Sequence, residues 1–267
     1  MNTLYWFTDD LRIADNPALI AAASDTNLTC VYCMDDAYFR TDRFGNQRDG
    51  KHRGRCLWES LRHREEELLA LGQTVNILRG DPSAAVATLL KAGRFDRVIR
   101  AKQHTYRGPD PWDRLQTDFP DIRFDEFDVS TLFSCKDLNF EHAFPNTFSQ
   151  FKKAVGTLTY RNFLPSPDRL PTSLIELEND QLETSGPPGK QTGGATAAAL
   201  HLTAYFGGKA ASTYKDTRNN LSGKDSSTGF SPWLANGSLS PLQALKQLRH
   251  YEATYGANNS TGWILFE

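Results

Sequence analysis

Small hydroxyl side chains near the carboxyl end of the chain are the first candidates for a functional site. Ser226, Ser227 and Thr228 precede the pair Ser231-Pro232, which is typical of a helix that begins with a serine N-cap and a proline in its first turn. Because unpaired N–H groups and the positive end of the helix dipole converge at a helix N-terminus, hydroxyl donors beside it suit a phosphate or pyrophosphate. The pattern predicts an anion site; the alternative is that these hydroxyls only cap helices.

A second helix start lies a few residues further on. Ser240 and Gln243 match a capping box, with Pro241 in the first turn. The two helices are predicted to be hinged at Asn236-Gly237. The second one has an apolar stripe at helical spacing, which is typical of a buried core face: Leu242, Leu245, Leu248 and Tyr251.

Short apolar runs alternate with helical patterns through the first half of the chain. This alternation favours a parallel sheet covered on both faces, since parallel neighbours need crossover connections. The fold class is therefore α/β up to about residue 130, Rossmann-like, although no G-x-G-x-x-G follows the first strand to indicate an ordinary dinucleotide-binding domain. Strands are predicted at 3–7, 28–33, 74–78, 97–101 and 122–127, and helices from Pro17 and over 51–71, 82–91 and 111–118.

Composition and charge indicate a water-soluble protein. The chain has 267 residues, a formal net charge of -2 and a pI near 6.3, so any nucleic-acid contact must come from a local basic face. No apolar run is long enough to span a bilayer, and the N-terminus has no signal-peptide pattern. We expect a cytoplasmic protein with no membrane partner.

Cysteine and histidine spacing predicts no metal site. Cys30 and Cys33 formally make C-x-x-C, but they lie in an apolar run typical of a buried strand, where residues three apart point to opposite faces. No second cysteine pair completes a zinc site, and no histidine has a partner at ligand spacing. His201, in the alanine-rich helix predicted after Gly193-Gly194, is interpreted as a satisfied or exposed imidazole.

The composition divides the chain into three parts. From Leu164 to Thr192 proline, serine, glycine and acidic residues dominate, and the run 186–189, Gly-Pro-Pro-Gly, cannot continue a helix. We assign residues 1–130 to the α/β domain, 131–192 to an interdomain connector, and 193–267 to the first part of an all-α domain.

Two strings in the helical part point to a known family. They read Tyr214-Lys215-Asp216-Thr217-Arg218-Asn219 and Ser227-Thr228-Gly229-Phe230-Ser231-Pro232-Trp233-Leu234-Ala235, followed by Leu239-Ser240-Pro241. Together they closely resemble the start of the flavin-binding domain of the photolyase/cryptochrome family, in its DASH cryptochrome branch. The resemblance implies that FAD is the cofactor and that its phosphates and ribityl chain are held by Tyr214, Ser227, Thr228, Gly229, Phe230 and Ser231.

The segment from Asn258 to Glu267 resembles the family stretch in which a tryptophan and then a glutamate line the pocket beside flavin and lesion. By this resemblance Trp263 lines the cofactor cavity and Glu267 is the catalytic carboxylate that hydrogen-bonds a damaged pyrimidine pair. Charge arriving on the base would be stabilised by such a hydrogen bond.

The beginning of the chain carries a looser match. Trp6-Phe7 with Asp10-Leu11-Arg12 is similar to the family's opening motif, and residues 144–153 are similar to the DASH segment that follows the sheet. The resemblance implies an antenna chromophore in this domain, a methenyltetrahydrofolate in the DASH branch. Thr8 and His104 stand where the family commonly has arginine and glutamate.

The function implied by the resemblance is light-dependent repair of DNA by a deoxyribodipyrimidine photolyase-like enzyme. Reduced FAD would donate an electron to a cyclobutane pyrimidine dimer flipped out of single-stranded DNA. The alternatives are a blue-light photoreceptor without turnover and an inactive family member. Because the family has further pocket helices after the position of Glu267, we expect a chain truncated within the FAD-binding domain and a partner chain that completes it.

Overall fold

A five-stranded sheet forms the first half of the computed structural model, which describes residues 1–267 except 48–49, 105–109, 135, 139, 141–143, 157, 176, 178–190 and 224. All strand pairs are parallel, in the order β3-β2-β1-β4-β5. This topology confirms the predicted α/β class, and every predicted strand is present. The strands are β1 (Asn2–Phe7), β2 (Asn27–Asp35), β3 (Val75–Gly80), β4 (Arg97–Ala101) and β5 (Arg123–Phe127).

Four helices connect the strands and cover both faces of the sheet. They are α1 (Pro17–Ala23), α2 (Lys51–Ala70), α3 (Pro82–Ala92) and α4 (Pro111–Asp118). Three of them begin behind a side-chain N-cap with proline in the first turn, which fixes their starting residues; the caps are Asn16, Asp81 and Asp110. One hydrophobic cluster joins the sheet to α1 and α2, and a second joins it to α3 and α4.

Cys30 and Cys33 show the alternation of a strand buried on both faces. Cys30 belongs to the cluster with α1 and α2, whereas Cys33 belongs to the cluster with α3 and α4. Burial raises the pKa of both thiols, that of Cys33 to about 12. The two sulfur atoms therefore cannot share a metal ion, and their role is to fill the core.

Six helices are described in the second half of the chain. The sequence pattern had not indicated the first of them, and the next four share a third hydrophobic cluster with part of the last. As predicted, Leu242, Leu245, Leu248 and Tyr251 are buried, and Ser240 and Gln243 make both bonds of the capping box. The helices are α5 (Phe148–Val155), α6 (Ala195–Phe206), α7 (Ala210–Thr217), α8 (Ser231–Ala235), α9 (Pro241–Tyr255) and α10 (Asn259–Phe266).

The described part of the connector packs against the sheet domain. Leu170 is buried in the cluster with α1 and α2, and its N–H donates to the carbonyl of Leu71 at 3.0 Å. The carbonyl of Thr172 accepts from the N–H of Leu28, also at 3.0 Å. The predicted helix breaker at 186–189 lies outside the described residues.

Glycines allow the helical part to approach the sheet domain backbone to backbone. A Cβ atom on Gly193 would collide with the carbonyl oxygen of Cys56 in α2, and one on Gly237 would collide with that of Asp9 after β1. Gly237 also has φ +72°, a conformation that favours glycine. These two contacts fix where α6 and the turn between α8 and α9 can dock.

Buried polar side chains complete the same junction. The hydroxyl oxygen of Ser60 accepts hydrogen bonds from the Gly194 N–H and the Asn236 side-chain amide, both at 2.9 Å. The fully buried guanidinium of Arg12 donates to the carbonyl of Gly237 at 3.0 Å, and burial lowers the pKa of Arg12 to about 10. Backbone carbonyls of Asp15, Val129 and Gly237 therefore accept all the hydrogen bonds that Arg12 is seen to donate.

Candidate functional site

The hydroxyl loop, residues 226–231, differs in one detail from the sequence prediction. Helix α8 begins at Ser231, with Phe230 as its N-cap and no side-chain capping bond, so the expected serine N-cap at Ser231 was wrong. Gly229, with φ +63°, turns the chain one residue before the cap and places Ser231 inside the helix. Capping therefore does not use this hydroxyl.

Three hydroxyls of the loop remain available to a ligand. The Ser226 hydroxyl donates to the carbonyl of Gly223 at 2.8 Å. Among the described residues, the hydroxyls of Ser227, Thr228 and Ser231 have no hydrogen-bond partner, and Ser227 and Ser231 are exposed. The alternative that all these hydroxyls act as caps is therefore not supported.

The backbone of the hydroxyl loop is held by two side chains that the motif did not include. The Gln191 amide donates to the carbonyl of Gly229 at 2.8 Å, and Nε2 of His201 lies 2.7 Å from the carbonyl oxygen of Thr228. Because a carbonyl can only accept, Nε2 of His201 carries the proton. The imidazole also packs on the Trp233 ring at 4.9 Å between centroids, so His201 is a satisfied histidine, as predicted.

Tyr205 carries a buried hydroxyl with no hydrogen-bond partner among the described residues. Its ring contacts Phe230 at 5.4 Å between centroids. Burial raises the pKa of Tyr205, with smaller contributions from the charges of Tyr214 and Asp225. An unpaired buried donor costs about 1–3 kcal/mol, so a polar group bound beside Tyr205 would gain a hydrogen bond from this hydroxyl.

Glu267 lies in a cluster of aromatic and basic side chains, which we call the carboxylate cluster: Tyr214, Arg218, Trp263 and Glu267. The Tyr214 hydroxyl donates to one carboxylate oxygen of Glu267, and the Arg218 guanidinium pairs with the other. The Arg218 guanidinium carbon also lies 4.3 Å from the Trp263 ring centroid. Burial and the bond to Glu267 raise the pKa of Tyr214 to about 12, so Tyr214 keeps its proton at neutral pH.

Helix α10 positions this cluster against α7. Asn258 and Thr261 form a capping box that starts the helix, and the Asn258 amide donates to the carbonyl of Ser212 at 3.0 Å. Trp263 and Glu267 are four residues apart and therefore share one face of α10. That face meets Tyr214 in α7 and Arg218 at its C-cap, which are also four residues apart.

The structure thus brings together Tyr214, Trp263 and Glu267. Tyr205 lies between Tyr214 and Phe230 of the hydroxyl loop. Sequence reasoning missed Tyr205, Gln191 and His201 as parts of this region. It named Arg218 only as part of the string that begins at Tyr214. A signal for Arg218 was present, because it follows Tyr214 by four residues on one helix and so projects from the same face.

A second candidate site is a cavity of about 1010 Å³ in the sheet domain, away from the hydroxyl loop. It lies beyond the carboxyl ends of the strands, where α/β sheets bind ligands near the point at which strand order reverses. Trp6 lines it, as do the first residues of α3 and α4. Arg100 also lines it and is held by Asp110 at 2.8 Å and Glu126 at 2.7 Å, with its guanidinium 4.2 Å from the Trp112 ring centroid.

Two further observations concern predicted features of the site. Nε2 of His104 lies 2.9 Å from a carboxylate oxygen of Asp128, and the following residues 105–109 are outside the described part. In the parts of the chain that the structure describes, no three acidic, cysteine or histidine side chains converge as metal ligands, and no helix is long and apolar enough to cross a bilayer.

Comparison with known proteins identifies the family. A sequence profile described as DNA photolyase matches residues 3–171, well over half of the chain. The chain belongs to the DNA photolyase family. The profile covers the sheet domain and part of the connector. Relatives named cryptochrome DASH match 99% of this chain and so include the helical part. Members of this family bind FAD.

The relatives carry the names of both branches of the family. A cryptochrome DASH from Idiomarina loihiensis is 38% identical, over 99% of this chain and 60% of that protein. The crystal structure of a Synechocystis sp. cryptochrome matches with a TM-score of 0.90 at 28% identity, over 99% of this chain and 58% of that one. An archaeal photolyase from Sulfolobus tokodaii, solved with two FAD molecules, has the same fold, with a TM-score of 0.72 at 15% identity over 100% and 57% of the two chains. The chain therefore spans about 60% of the length of the DASH relative.

Proposed function

We propose that this protein is a light-dependent DNA repair flavoprotein of the DASH type, which binds FAD at the hydroxyl loop and a pyrimidine dimer at the carboxylate cluster. One observation carries the proposal: within the described part of the chain, the hydroxyls of Ser227, Thr228 and Ser231 and the buried hydroxyl of Tyr205 have no hydrogen-bond partner, and Tyr214 and Arg218 hold the carboxylate of Glu267. The names of the relatives support the same reading.

The chemistry of these donors fits FAD. Hydroxyl groups donate to phosphate oxygens, and the positive φ of Gly229 forms the turn that separates Ser227 and Thr228 from Ser231. Ser227, Thr228 and Ser231 would hold the phosphates and ribityl chain, and Phe230 would support the loop from the core. When bound and reduced, the flavin supplies the electron that opens the cyclobutane ring under light.

The carboxylate cluster would bind the pyrimidine dimer that is to be repaired. Both oxygens of Glu267 already have a partner here, and we propose that a pyrimidine takes the place of either Tyr214 or Arg218 on the carboxylate. Arg218 is the more readily displaced, because it lies near the surface, whereas Tyr214 is buried. Arg218 would then pair with a phosphate of the single-stranded DNA, and Trp263 would border the flipped bases.

The first experiment measures flavin binding by the purified chain. We expect a blue absorption band that stays with the protein through gel filtration, and a rise of at least about tenfold in the FAD dissociation constant for the double variant Ser227→Ala/Thr228→Ala. Ser226→Ala is the matched control, because its hydroxyl already donates to Gly223. A colourless protein after incubation with FAD would refute the cofactor proposal.

A second experiment tests turnover. We expect the chain to split a cyclobutane dimer in a single-stranded oligonucleotide under blue light, and Glu267→Gln to slow this about 100-fold while FAD binding is retained. Because the chain spans only part of its relatives, the assay is repeated with a partner chain that supplies the remaining helices. If the chain binds flavin but splits no dimer, either alone or with the partner chain, the proposed repair activity is refuted.

One observation favours a blue-light photoreceptor as the second candidate. Relatives named cryptochrome match 99% of this chain, at 38% identity for one sequence and a TM-score of 0.90 for one structure. In that case light would change the chain's contacts and no dimer would be split. A light-dependent shift in gel-filtration volume, with no repair of the synthetic dimer, would distinguish this function.

The antenna is a separate proposal. A methenyltetrahydrofolate would lie beside His104, whose imidazole pairs with Asp128 and offers a different shape from a glutamate. The sheet cavity beside Trp6 and Arg100 is the alternative place for a planar second chromophore. A near-ultraviolet band that is lost in His104→Ala and kept in Arg100→Gln would assign it to the first position; the reverse result would assign it to the cavity.

A further inference from the structure

A basic segment of the sequence follows β2 and leads into α2. Residues 40–55 include six arginines or lysines and two aspartates, a net charge of +4, so the rest of the chain carries -6. Phe44 is the only large apolar side chain in this segment. A charge separated in this way produces a local positive field on a protein that is acidic overall.

The tip of this segment, the basic loop (residues 40–47), is a folded turn. Thr41 and Gln47 pair as an isolated antiparallel bridge. The carboxylate of Asp42 accepts the N–H groups of Phe44 at 2.8 Å and Asn46 at 2.9 Å. The bonds from Asn46 and Phe44 lower the pKa of Asp42. Since the loop already has its shape, little conformational entropy is lost when it binds a partner.

The turn presents an aromatic ring together with positive charge. The Phe44 side chain is 71% exposed, and the guanidinium carbon of Arg43 lies 4.6 Å from its ring centroid. Arg40 and Lys51 are also exposed, and neither has an ion-pair partner among the described residues. The nearby Asp36 is paired with Arg79 at 3.7 Å, so it does not neutralise the loop.

The base of the basic loop is anchored to the hydrophobic core. Phe39, just before the loop, packs against the hydrophobic cluster of α1 and α2. Gly54, in the first turn of α2, lies against the Phe39 ring, and a Cβ atom there would sit 3.7 Å from it. The exposed charges therefore project from a rigid base.

We propose that the basic loop is a second contact surface for single-stranded nucleic acid. The phosphodiester backbone is bound by Arg40 and Arg43 of the loop and by Lys51 at the start of α2. Phe44 stacks on one base. A single exposed ring among basic side chains suits unpaired bases, which expose their faces. The segment lacks the apolar area that insertion into a lipid surface requires, and a duplex hides the base faces that Phe44 would contact.

The choice of partner rests on the proposed function, in which single-stranded DNA is the substrate. The contact itself needs neither flavin nor light, because the basic loop includes no residue of the hydroxyl loop or the carboxylate cluster. Loss of repair and loss of this contact are therefore separate results. A chain that binds no FAD would still bind an oligonucleotide through the loop.

The test is the dark affinity of the full chain for an undamaged, fluorescein-labelled dT oligonucleotide of twelve residues, measured by anisotropy over a series of NaCl concentrations. We expect Phe44→Ala to weaken binding about fivefold. The double variant Arg40→Gln/Arg43→Gln should reduce the slope of log affinity against log salt by about 1.4, which is about 0.7 for each lost phosphate contact.

Matched controls keep the result specific. Arg123→Gln removes an exposed arginine from β5, at the far edge of the sheet, and Leu69→Ala removes an exposed apolar side chain from α2. Both should bind the oligonucleotide as the wild type does. Unchanged affinity and salt slope in the loop variants would overturn the proposal.

Two competitors separate the partner from other polyanions. An unlabelled duplex at equal phosphate concentration should compete more weakly than the single strand, and vesicles of phosphatidylcholine and phosphatidylglycerol should compete least. Equal competition by the duplex would overturn the stacking role of Phe44. Stronger competition by the vesicles would replace nucleic acid by an anionic lipid surface.

Discussion

Arg100 illustrates at the scale of one residue how this protein keeps a charge inside the sheet domain. Its guanidinium is almost completely buried, yet it meets the carboxylates of Asp110 and Glu126 and the face of the Trp112 ring. Burial alone would make the charge costly, and the paired carboxylates offset that cost. Asp110 has a second role as the N-cap of α4, since its side chain accepts the N–H of Trp112.

We predict that Asp110→Asn lowers the free energy of unfolding by about 1 kcal/mol at pH 7, a value reduced by the solvent exposure of this carboxylate. Asparagine keeps the cap, and it removes the charge together with one of the two acceptors that Asp110 offers to Arg100. Burial raises the pKa of Asp110 but the hydrogen bonds from Arg100 lower it further, to below the ordinary 3.8. The stabilisation is therefore present above that pH and lost as the pH falls below it.

Urea unfolding at pH 7 and at pH 3 measures this effect. The difference between wild type and variant should shrink at the lower pH. Asp118→Asn is the control, because its pair with Arg114 is exposed and long at 3.6 Å. A difference that grows towards acid would contradict the ion pair as its cause.

At the scale of elements, the turn between α8 and α9 determines how the helical part docks. Gly237 combines a positive φ with a backbone approach to Asp9 that leaves no room for a Cβ atom. We predict that Gly237→Ala lowers the free energy of unfolding by more than about 3 kcal/mol, because the chain must move away from the sheet domain.

Gly256 provides a matched control for this prediction. It also has a positive φ, of +90°, but nothing lies within 4 Å of the position of its Cβ. Gly256→Ala should cost only the backbone strain, about 1 kcal/mol. Thermal unfolding followed by circular dichroism compares the two variants, and equal losses would show that steric contact at Gly237 contributes nothing.

Elements were predictable from the sequence where local chemistry determines them. The strands, the caps at Asn16 and Asp81 and the capping box of Ser240 follow from apolar runs and short-range hydrogen bonds. The start of α8 was not predictable, because it depends on the positive φ of Gly229. The site itself required tertiary contacts: Tyr214 and Glu267 are 53 residues apart, and only the packing of α10 on α7 joins them.

Considered as a whole molecule, the sheet and the helices share a buried polar junction, in which Ser60 accepts from Gly194 and Asn236 and Arg12 donates to Gly237. Unpaired groups would be left on both sides if the parts separated. We predict that both parts unfold in one transition, and that circular dichroism and tryptophan fluorescence give coincident curves.

A substitution in the junction tests this coupling. Ser60→Ala removes the acceptor of the buried Gly194 N–H and of the half-buried Asn236 amide, and it should lower the free energy of unfolding by about 2 kcal/mol. In Thr203→Ala, the control, the lost hydroxyl bonds only a carbonyl of its own helix, so stability should change little. Two separate transitions in the wild type would mean that the junction does not couple the parts.

The placement of the described cysteines has a consequence for chemical labelling. Cys30, Cys33 and Cys56 are buried, and their raised pKa values disfavour the thiolate that reacts with labelling reagents. With Cys135 replaced by serine, each modified thiol would report the opening of its own layer: one face of the sheet, the other face, or α2. The order in which the three sulfur atoms become alkylated during a pulse would record the order in which their surroundings open, with Cys30 and Cys56 both reporting on regions that involve α2.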